Sequence, residues 1–216
     1  ASRMMRERDL RGIATGETYT IDKTNPAISF TDNVSATATN SDAIVITVTD
    51  GNPAIATYEY GFSADAVCDG TDTYGNAFTS GTGFNITSAL NNGKYICAKA
   101  SDTAGNVSYQ VSANALNIDV TAPVVSSIVR KTPAASVTNL SSVIYTITFS
   151  KNVNNVDTTD FTLTTTAGTT TGTIASVSAA SGTAIDVTVN TIAGDGTIRL
   201  DLNAAGTGIT DDAANA

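Results

Sequence analysis

Apolar and polar residues alternate with a period of two along most of this chain, which is the pattern of half-buried β-strands. In the first half, the alternation predicts strands at residues 43–49, 57–63, 84–89 and 95–101, with a turn at 91–94. The second half alternates more regularly. Its predicted strand faces are formed by Val143, Tyr145, Ile147 and Phe149, by Phe161 and Leu163, by Ile185, Val187 and Val189, and by Ile198, Leu200 and Leu202. Each half is therefore expected to form a β-sandwich.

A short repeated phrase divides the chain into two units. The frame Ile-Asp-x-Thr-x-Pro occurs at residues 21–26 and again at 118–123, so the two copies begin 97 residues apart. Because proline cannot donate a ladder hydrogen bond, Pro26 and Pro123 each predict the start of a first edge strand after a linker. The predicted parts are an N-terminal arm at 1–21, a first module at 22–119 (module 1) and a second at 120–216 (module 2).

Composition narrows the class of function. Only 14% of the residues are charged, 41% are hydrophobic, and the chain contains neither His nor Trp. The net charge of −9 disfavours nucleic acid and anionic lipid as partners, because both are negatively charged themselves. Without His, a Gly-Lys-Ser phosphate loop or a paired-carboxylate pattern, the sequence predicts a protein that is not an enzyme.

Charge is distributed unevenly along the chain. Four of the 11 basic residues lie in the first eleven positions, whereas residues 12–216 carry seven basic and 18 acidic side chains. No apolar run is long enough for a transmembrane helix. The chain begins at Ala rather than Met, which fits a secreted protein after removal of its signal peptide and equally fits a piece cut at an arbitrary point. We therefore expect an extracellular protein at the cell surface, without direct insertion into the membrane.

The phrase LNNGKYIC at residues 90–97 is the most specific local motif. Tyr95 follows a turn and precedes Cys97 by two residues, which is the spacing of the tyrosine corner in immunoglobulin-like (Ig-like) domains. The chain resembles such domains here, but its predicted strand B at 43–49 contains no Cys. The predicted strand at 57–63 corresponds to strand C of an Ig-like domain and that at 95–101 to strand F. The other Cys, Cys68, follows strand C, which neighbours strand F in an Ig-like sheet. A disulfide bond between Cys68 and Cys97 is expected, and the alternative is a small buried Cys97 with an unpaired Cys68.

Together with the two linker phrases and the Asp-x-Ala-Gly-Asn sequence at 102–106, these features resemble the tandem Ig-like modules of large bacterial adhesins and surface fibres. The resemblance extends from about Asp22 to Asn215. It implies an all-β fold of two tandem Ig-like Greek-key β-sandwiches and a structural or adhesive role outside the cell, often with calcium bound where modules join. It identifies a type of module and not a ligand.

Geometry gives a further reason to consider calcium. In an Ig-like sandwich the incoming linker lies beside the BC and FG loops, which should bring Asp22 close to Asp50 and Asp102. Asn106 belongs to the same FG loop. Three carboxylates and neighbouring carbonyl groups suit a weakly bound hard cation such as calcium. The alternative is that these side chains only cap turns.

The junction between module 1 and module 2 (the second junction) differs by one charge from the place where the N-terminal linker meets module 1 (the first junction). Asp119 is expected to approach Asp211 and Asp212, which repeat the phrase that contains Asp102. Lys151 lies in the matching BC loop, and its ammonium group could take the place of a metal. Calcium is therefore expected less at the second junction than at the first.

Module 2 has too few residues after Asn215 for a last strand like that of module 1. In module 1, Asp119 follows Asn106 by thirteen residues, which hold the predicted last strand, G. The N-terminal segment repeats this spacing, because Asp22 follows Asp9 by thirteen residues, whereas one residue follows Asn215. Module 2 is thus expected to lack strand G and to receive it from the arm of a neighbouring copy. The candidate donor residues are Leu10, Ile13, Thr15, Tyr19 and Ile21.

These expectations predict an extracellular structural subunit of a cell-surface filament, whose partners are identical subunits joined head to tail by donated N-terminal strands. The cationic arm would meet an acidic neighbour, which favours association. The alternative is the rigid stalk of a monomeric multi-domain adhesin. A third class, a glycan-binding module using Tyr74 and Phe78, is weaker, because aromatic residues in a Gly-rich loop more often pack internally.

Overall fold

The structure is a computed structural model and describes residues 17–51 and 54–216. The candidate donor residues Leu10, Ile13 and Thr15 lie outside these ranges. Within them the chain is all-β, with fourteen strands and two three-residue 3-10 turns at Ala89–Asn91 and Thr158–Asp160. The predicted all-β class is confirmed. None of the described residues belongs to a helix with the length and apolar character needed to cross a membrane.

Module 1 contains seven of these strands in two antiparallel sheets. They are β1 (Ala27–Asp32), β2 (Asp42–Thr49), β3 (Ile55–Ser63), β4 (Tyr74–Ala77), β5 (Gly83–Ile86), β6 (Tyr95–Asp102) and β7 (Val107–Val111). One sheet has the order β1-β2-β5 and the other the order β4-β3-β6-β7. Strand β1 begins directly after Pro26, as the sequence predicted.

The two sheets of module 1 enclose one apolar core. From the first sheet, β2 alternates between buried and more exposed positions and contributes the fully buried Ile44 and Ile46. From the second sheet, β6 contributes Ile96, Ala98 and Ala100, which are also fully buried. Each buried Ile stabilises the fold by about 1.5–3 kcal/mol relative to an exposed one. Because both sheets supply the core, the arrangement is that of a β-sandwich.

Module 2 contains the other seven strands. They are β8 (Val125–Thr132), β9 (Val143–Asn154), β10 (Phe161–Gly168), β11 (Thr171–Val177), β12 (Gly182–Ala193), β13 (Gly196–Leu202) and β14 (Thr210–Asp211). In the larger sheet, β9 pairs with β12 on one edge and with β8 and β14 on the other, and β11 pairs with β12. The smaller sheet consists of β10 and β13.

The core of module 2 follows the predicted alternation. Ile185, Val187 and Val189 on β12 are fully buried, as is Ile147 on β9. Phe161 and Leu200 contribute from the smaller sheet, so this core also draws on both sheets. Val143 and Tyr145, which share a face with Ile147, are only partly buried, because they border a groove that no described strand covers.

Three strands, β4, β11 and the two-residue β14, have no counterpart in the predicted pattern. Strand β4 is Tyr-Gly-Asn-Ala and carries no alternation, and β11 pairs with β12 through two register shifts. The strand predicted at 84–89 is shorter in the structure, since β5 ends at Ile86 and Ser88 caps the following 3-10 turn by accepting a hydrogen bond from the amide of Leu90. Local side-chain bonding of this kind competes with strand pairing.

Candidate functional site

Three acidic side chains from separate parts of module 1 meet where the N-terminal linker reaches it. Asp22 precedes β1, Asp50 follows β2 and Asp102 ends β6. One carboxylate oxygen from each lies within 4.8 Å of the others. The structure thus brings together the three residues that the sequence singled out, and Asn106 lies beside them. We call these four residues node 1.

Asn106 orients the buried member of node 1. Asp102, which is 3% exposed, accepts hydrogen bonds from the backbone and side-chain amides of Asn106 at 2.9 and 2.7 Å. The side-chain amide of Asn106 also donates to the backbone carbonyl of Asp22 at 3.4 Å, which connects the linker to the loop. Burial acts to raise the pKa of Asp102, but hydrogen bonds from Asn106, Gly105 and Ala104 outweigh it, so the pKa lies below its usual value and the carboxylate is ionised.

Two carboxylate oxygens of node 1 are left without a partner. Oδ2 of Asp22 and Oδ2 of Asp50 are buried and accept no hydrogen bond in the described part of the chain. No described Lys or Arg forms an ion pair with node 1. A buried carboxylate oxygen without a partner is unfavourable. Carboxylates with free oxygens match the ligand preference of calcium, so Asp22, Asp50 and Asp102 are the residues that would hold such an ion.

A second group of residues, node 2, lies at the junction of the modules and consists of Asp119, Lys151, Asp211 and Asn215. Nζ of Lys151 donates to Oδ2 of Asp119 at 2.8 Å and to Oδ2 of Asp211 at 3.0 Å. It also donates to the backbone carbonyl of Thr121 at 2.6 Å. The side chain of Asn215 donates to the backbone carbonyl of Asp119 at 2.9 Å. The ammonium group thus lies between two carboxylates.

The two nodes share one hydrogen-bond pattern. In each, the Asn backbone amide donates to Oδ1 of the loop Asp at 2.9 Å, and the Asn side chain reaches the backbone carbonyl of the linker Asp. In each, the linker Asp accepts the backbone amide of the Thr two residues later, at 2.8 Å for Asp22 and 2.9 Å for Asp119. The position that differs in charge is occupied by Asp50 in node 1 and by Lys151 in node 2.

The electrostatics of node 2 favour a permanent ion pair. Burial acts to raise the pKa of Asp211, but hydrogen bonds from Asn215, Lys151 and Ala213 lower it to about 2. Hydrogen bonds to Asp119 and Asp211 raise the pKa of Lys151. Both partners therefore remain charged across the neutral pH range, and the ammonium group supplies the positive charge that node 1 lacks.

Asp212 has a different partner from the one the sequence suggested. Its Oδ1 accepts hydrogen bonds from the side chains of Asn152 and Asn154, each at 2.9 Å, and it forms no ion pair with a described Lys or Arg. Strand alternation accounts for this difference, because Asn152 and Asn154 lie on the face of β9 opposite Lys151. Of the two adjacent Asp residues, only Asp211 therefore belongs to node 2.

One connection between the modules has no sequence signal. The backbone amide of Asn40 donates to the carbonyl of Ala213, and its side chain donates to the carbonyl of Ala214, both at 3.2 Å. Asn40 lies in the polar loop between β1 and β2, where neither periodicity nor a motif distinguishes it. Because its partners are backbone carbonyls, no pair of side chains could have indicated the contact.

Cys68 and Cys97 form the predicted disulfide bond, with their Cα atoms 5.5 Å apart. Cys97 is fully buried on the face of β6 opposite the core, because the loop that carries Cys68 folds over it. Gly61 pairs with Cys97 in this sheet, and a Cβ atom there would collide with the backbone carbonyl of Thr73. The disulfide and this close approach hold the loop between β3 and β4 against the sheet.

The aromatic candidates have internal contacts. Phe78 packs against Tyr58 at a ring-centroid distance of 4.8 Å, next to the core of module 1. The hydroxyl group of Tyr74 donates to the backbone carbonyl of Asp69 at 2.9 Å. Tyr95 begins β6, as the motif predicted, and the hydroxyl hydrogen bond that defines a tyrosine corner stays a prediction.

A free strand edge in module 2 is the other candidate site. In module 1, β6 lies between β3 and β7. In module 2, β13 pairs with β10, and no strand within residues 17–51 or 54–216 pairs with its other edge. A groove of about 820 Å³ lies between that edge, β8 and the loop at 133–142.

The walls of this groove present apolar side chains to solvent. Val129, Val137 and Leu140 are exposed along it, and the partly buried Tyr145 and Ile198 also line it. A free strand edge next to exposed apolar side chains is a template for pairing with another segment. Sequence reasoning predicted an incomplete module 2, but the loop at 133–142 that forms one wall carried no recognised signal.

Comparison with known proteins does not identify the chain. No protein-family model matches it, and neither a curated protein nor a solved structure matches it. The resemblance to the Ig-like modules of bacterial adhesins therefore rests on the linker phrases, the Tyr95 motif and the Asp-x-Ala-Gly-Asn loop.

Proposed function

We propose that the chain is an extracellular structural subunit of two Ig-like β-sandwiches that assembles head to tail into a filament. Each copy donates residues 9–21 to module 2 of the next copy. The observation that carries this proposal is the free edge of β13 above an apolar groove. A strand added there gives β13 the kind of partner that β6 has in β7, and it covers both the unpaired backbone groups and the apolar walls.

The donor segment has suitable spacing and chemistry. Asp22 follows Asp9 by the same thirteen residues that separate Asn106 from Asp119, and the latter stretch contains β7. Residues 17–21, the end of the donor segment, belong to no strand, and Tyr19 and Ile21 are exposed. These two apolar side chains are available to insert into another surface.

The two nodes would make such an assembly stiff. Node 2 joins module 1 to module 2 through the ammonium group of Lys151, so this junction needs no metal ion. Node 1 directly follows the donor segment. A calcium ion held by Asp22, Asp50 and Asp102 would fix the direction in which the donated strand leaves module 1.

One observation favours the second candidate function, a rigid stalk. The contacts of Lys151 and Asn40 connect the modules firmly, which is what a stalk made of many such modules requires. In a longer chain, a segment following Asn215 would close the groove in place of a second copy. The two functions thus differ in whether the closing strand belongs to the same chain.

Electron microscopy and light scattering of the full chain at increasing concentration test the proposal. We expect head-to-tail filaments. An extended chain, in which residues 9–22 also follow Ala216 through a short flexible linker, should fill its own groove and stay monomeric. If the full chain remains monomeric at every concentration while the extension stabilises module 2, the stalk is correct and the filament is not.

A further inference from the structure

We infer that Tyr19 and Ile21 are the two core-filling residues of the donated strand. They would enter the groove of module 2 at the places where module 1 buries its own Leu116 and Ile118. The inference depends on the proposed function for the source of the strand. Its register and the identity of the two residues come from module 1, which provides a complete example within the same chain.

Module 1 is closed by the segment that follows β7. Leu116 and Ile118 in this segment are each 2% exposed and belong to the apolar core. Asn117 between them is exposed, as expected for alternation along an extended segment. The core of module 1 therefore depends on two side chains that arrive after its last regular strand.

The turn before β6 holds this segment from one side. The amide of Gly93 donates to the carbonyl of Leu116 at 2.9 Å, and the amide of Leu116 donates to the carbonyl of Lys94 at 2.8 Å. The side chain of Asn92 exchanges two hydrogen bonds with the backbone of Ile118, both at 2.7 Å. Four hydrogen bonds thus fix the depth at which the two apolar side chains sit.

The loop between β1 and β2 holds the segment from the other side. Thr39 forms a parallel bridge with Ile118. Its amide donates to the carbonyl of Asn117 at 3.1 Å, and its carbonyl accepts the amide of Asp119 at 3.0 Å. At its beginning, Ser112 exchanges two hydrogen bonds with the backbone of Ile96 in β6, at 2.9 and 3.0 Å. The segment is therefore held by the first loop of the module, the turn before β6 and the start of β6.

The groove of module 2 is bounded by the same three parts of the fold. Its walls include the loop between β8 and β9, the turn at 194–195 before β13, and the first residues of β13. In module 1 these parts enclose Leu116 and Ile118, whereas in module 2 they enclose the open groove. The groove thus lies where the closing segment of a complete module runs.

The repeat spacing assigns the residues that fit there. Counting back from the linker aspartates, Ile21 corresponds to Ile118 and Tyr19 corresponds to Leu116, each 97 residues apart. Tyr19 and Ile21 are 91% and 75% exposed, whereas their counterparts Leu116 and Ile118 are buried. The N-terminal segment therefore carries core residues for which module 1 itself has no place.

The groove also has a polar atom that suits a tyrosine. Thr170 lines it and is 6% exposed, and its Oγ1 has no hydrogen-bond partner in the described residues. A buried tyrosine usually finds a partner for its hydroxyl group, and a buried threonine hydroxyl likewise needs one. The N-terminal segment has Tyr19 where the closing segment of module 1 has Leu116. A tyrosine suits this groove, because Thr170 offers its hydroxyl group a polar partner.

The test uses a full-length acceptor that cannot donate, with Tyr19→Asp and Ile21→Asp, and a synthetic peptide of residues 9–22. The peptide should protect the amides of β13 from hydrogen exchange and raise the melting temperature of module 2. The same two substitutions in the peptide should weaken binding by at least about tenfold, because two large apolar side chains no longer enter the groove. The matched peptide with Thr18→Asp and Thr20→Asp, which alters the opposite strand face, should bind within about threefold of the original.

The outcomes separate this inference from the proposed function. If both substituted peptides bind equally well, or if none protects β13, Tyr19 and Ile21 do not fill the groove. If the full chain forms filaments and the Asp-substituted chain forms them too, the filament stands and the inference is wrong. If the peptides behave as expected but the full chain never assembles, the inference stands and the strand is supplied within one longer chain.

Discussion

Lys151 in node 2 occupies the position that Asp50 occupies in node 1, so two matching hydrogen-bond networks carry opposite charges at one point. Node 2 contains its own cation, whereas node 1 retains two buried carboxylate oxygens that accept no hydrogen bond from any residue within 17–51 or 54–216. An ammonium group thus completes this local fold in node 2, and a metal ion would complete it in node 1 under the calcium proposal.

The first prediction follows from this exchange. In Asp50→Lys, the new ammonium group should pair with Asp22 and Asp102 and remove the need for an ion. A chelator should therefore lower the melting temperature of module 1 in the wild-type protein by several degrees and leave that of the variant unchanged. Differential scanning calorimetry is suitable, because the chain contains no Trp for fluorescence.

Asp32→Lys is the control for this charge change, since Asp32 is exposed at the end of β1 and takes no part in node 1. It should keep the sensitivity to the chelator. A wild-type melting temperature that is the same with and without chelator would mean that the node 1 carboxylates only cap turns.

The second prediction concerns acid. The pKa of Asp211 is about 2 in the folded protein, below its ordinary value of 3.8. A lowered pKa means that this group stabilises the fold above about pH 3.8 and that the contribution is lost as the pH falls through about 2. The free energy of unfolding, measured with denaturant between pH 2 and 6, should fall less steeply towards acid in Asp211→Asn. Asp212→Asn is the control for the loss of one negative charge, and an identical slope for Asp211→Asn and wild type would contradict the prediction.

The third prediction concerns the disulfide bond. Because Cys68 and Cys97 are joined, no free thiol should react with a thiol reagent in denaturant without reductant. Replacing both residues with Ser should lower the free energy of unfolding of module 1 by about 2–4 kcal/mol, as expected for a bond that closes a loop of this length. Two titratable thiols in the untreated protein would be inconsistent with the structure.

The fourth prediction concerns the two separate cores. Ile46→Ala should destabilise module 1 and Ile185→Ala should destabilise module 2, each by about 2–5 kcal/mol, because both side chains are fully buried. In calorimetry each substitution should shift a different transition. If either substitution lowered both transitions equally, the two cores would unfold as one unit.

The parts of the fold that follow a period of two were predictable from sequence. Strands β2, β6, β9 and β12 each place one apolar face in a core, and the alternation marks that face directly. Strand β4 could not be recognised this way, because its residues are held by pairing with β3 and not by a buried face. Alternation of apolar and polar residues indicates that one face of a strand is buried, so a strand without a buried face has no such pattern.

The candidate sites divide in the same way. Asp22 and Asp102 could be placed together because a repeated phrase fixed their positions relative to strand ends. The contact of Asn40 with module 2 could not be predicted, because its partners are backbone carbonyls. The groove was expected only as a missing strand. Its walls depend on how the loop at 133–142 folds, which no local pattern determines.

The bridge between Thr39 and Ile118 has a consequence for how module 1 would bear tension in the proposed filament. In the proposed filament, a pull would enter module 1 at Asp22 and leave it at Asp119. The two bridged segments run parallel, so such a pull draws them in opposite directions along their common axis. The hydrogen bonds of Thr39, together with those that Asn92 and Gly93 make to the same segment, would be strained at once and not one after another. In the proposed filament, the segment that completes the core would therefore also be the one that resists extension.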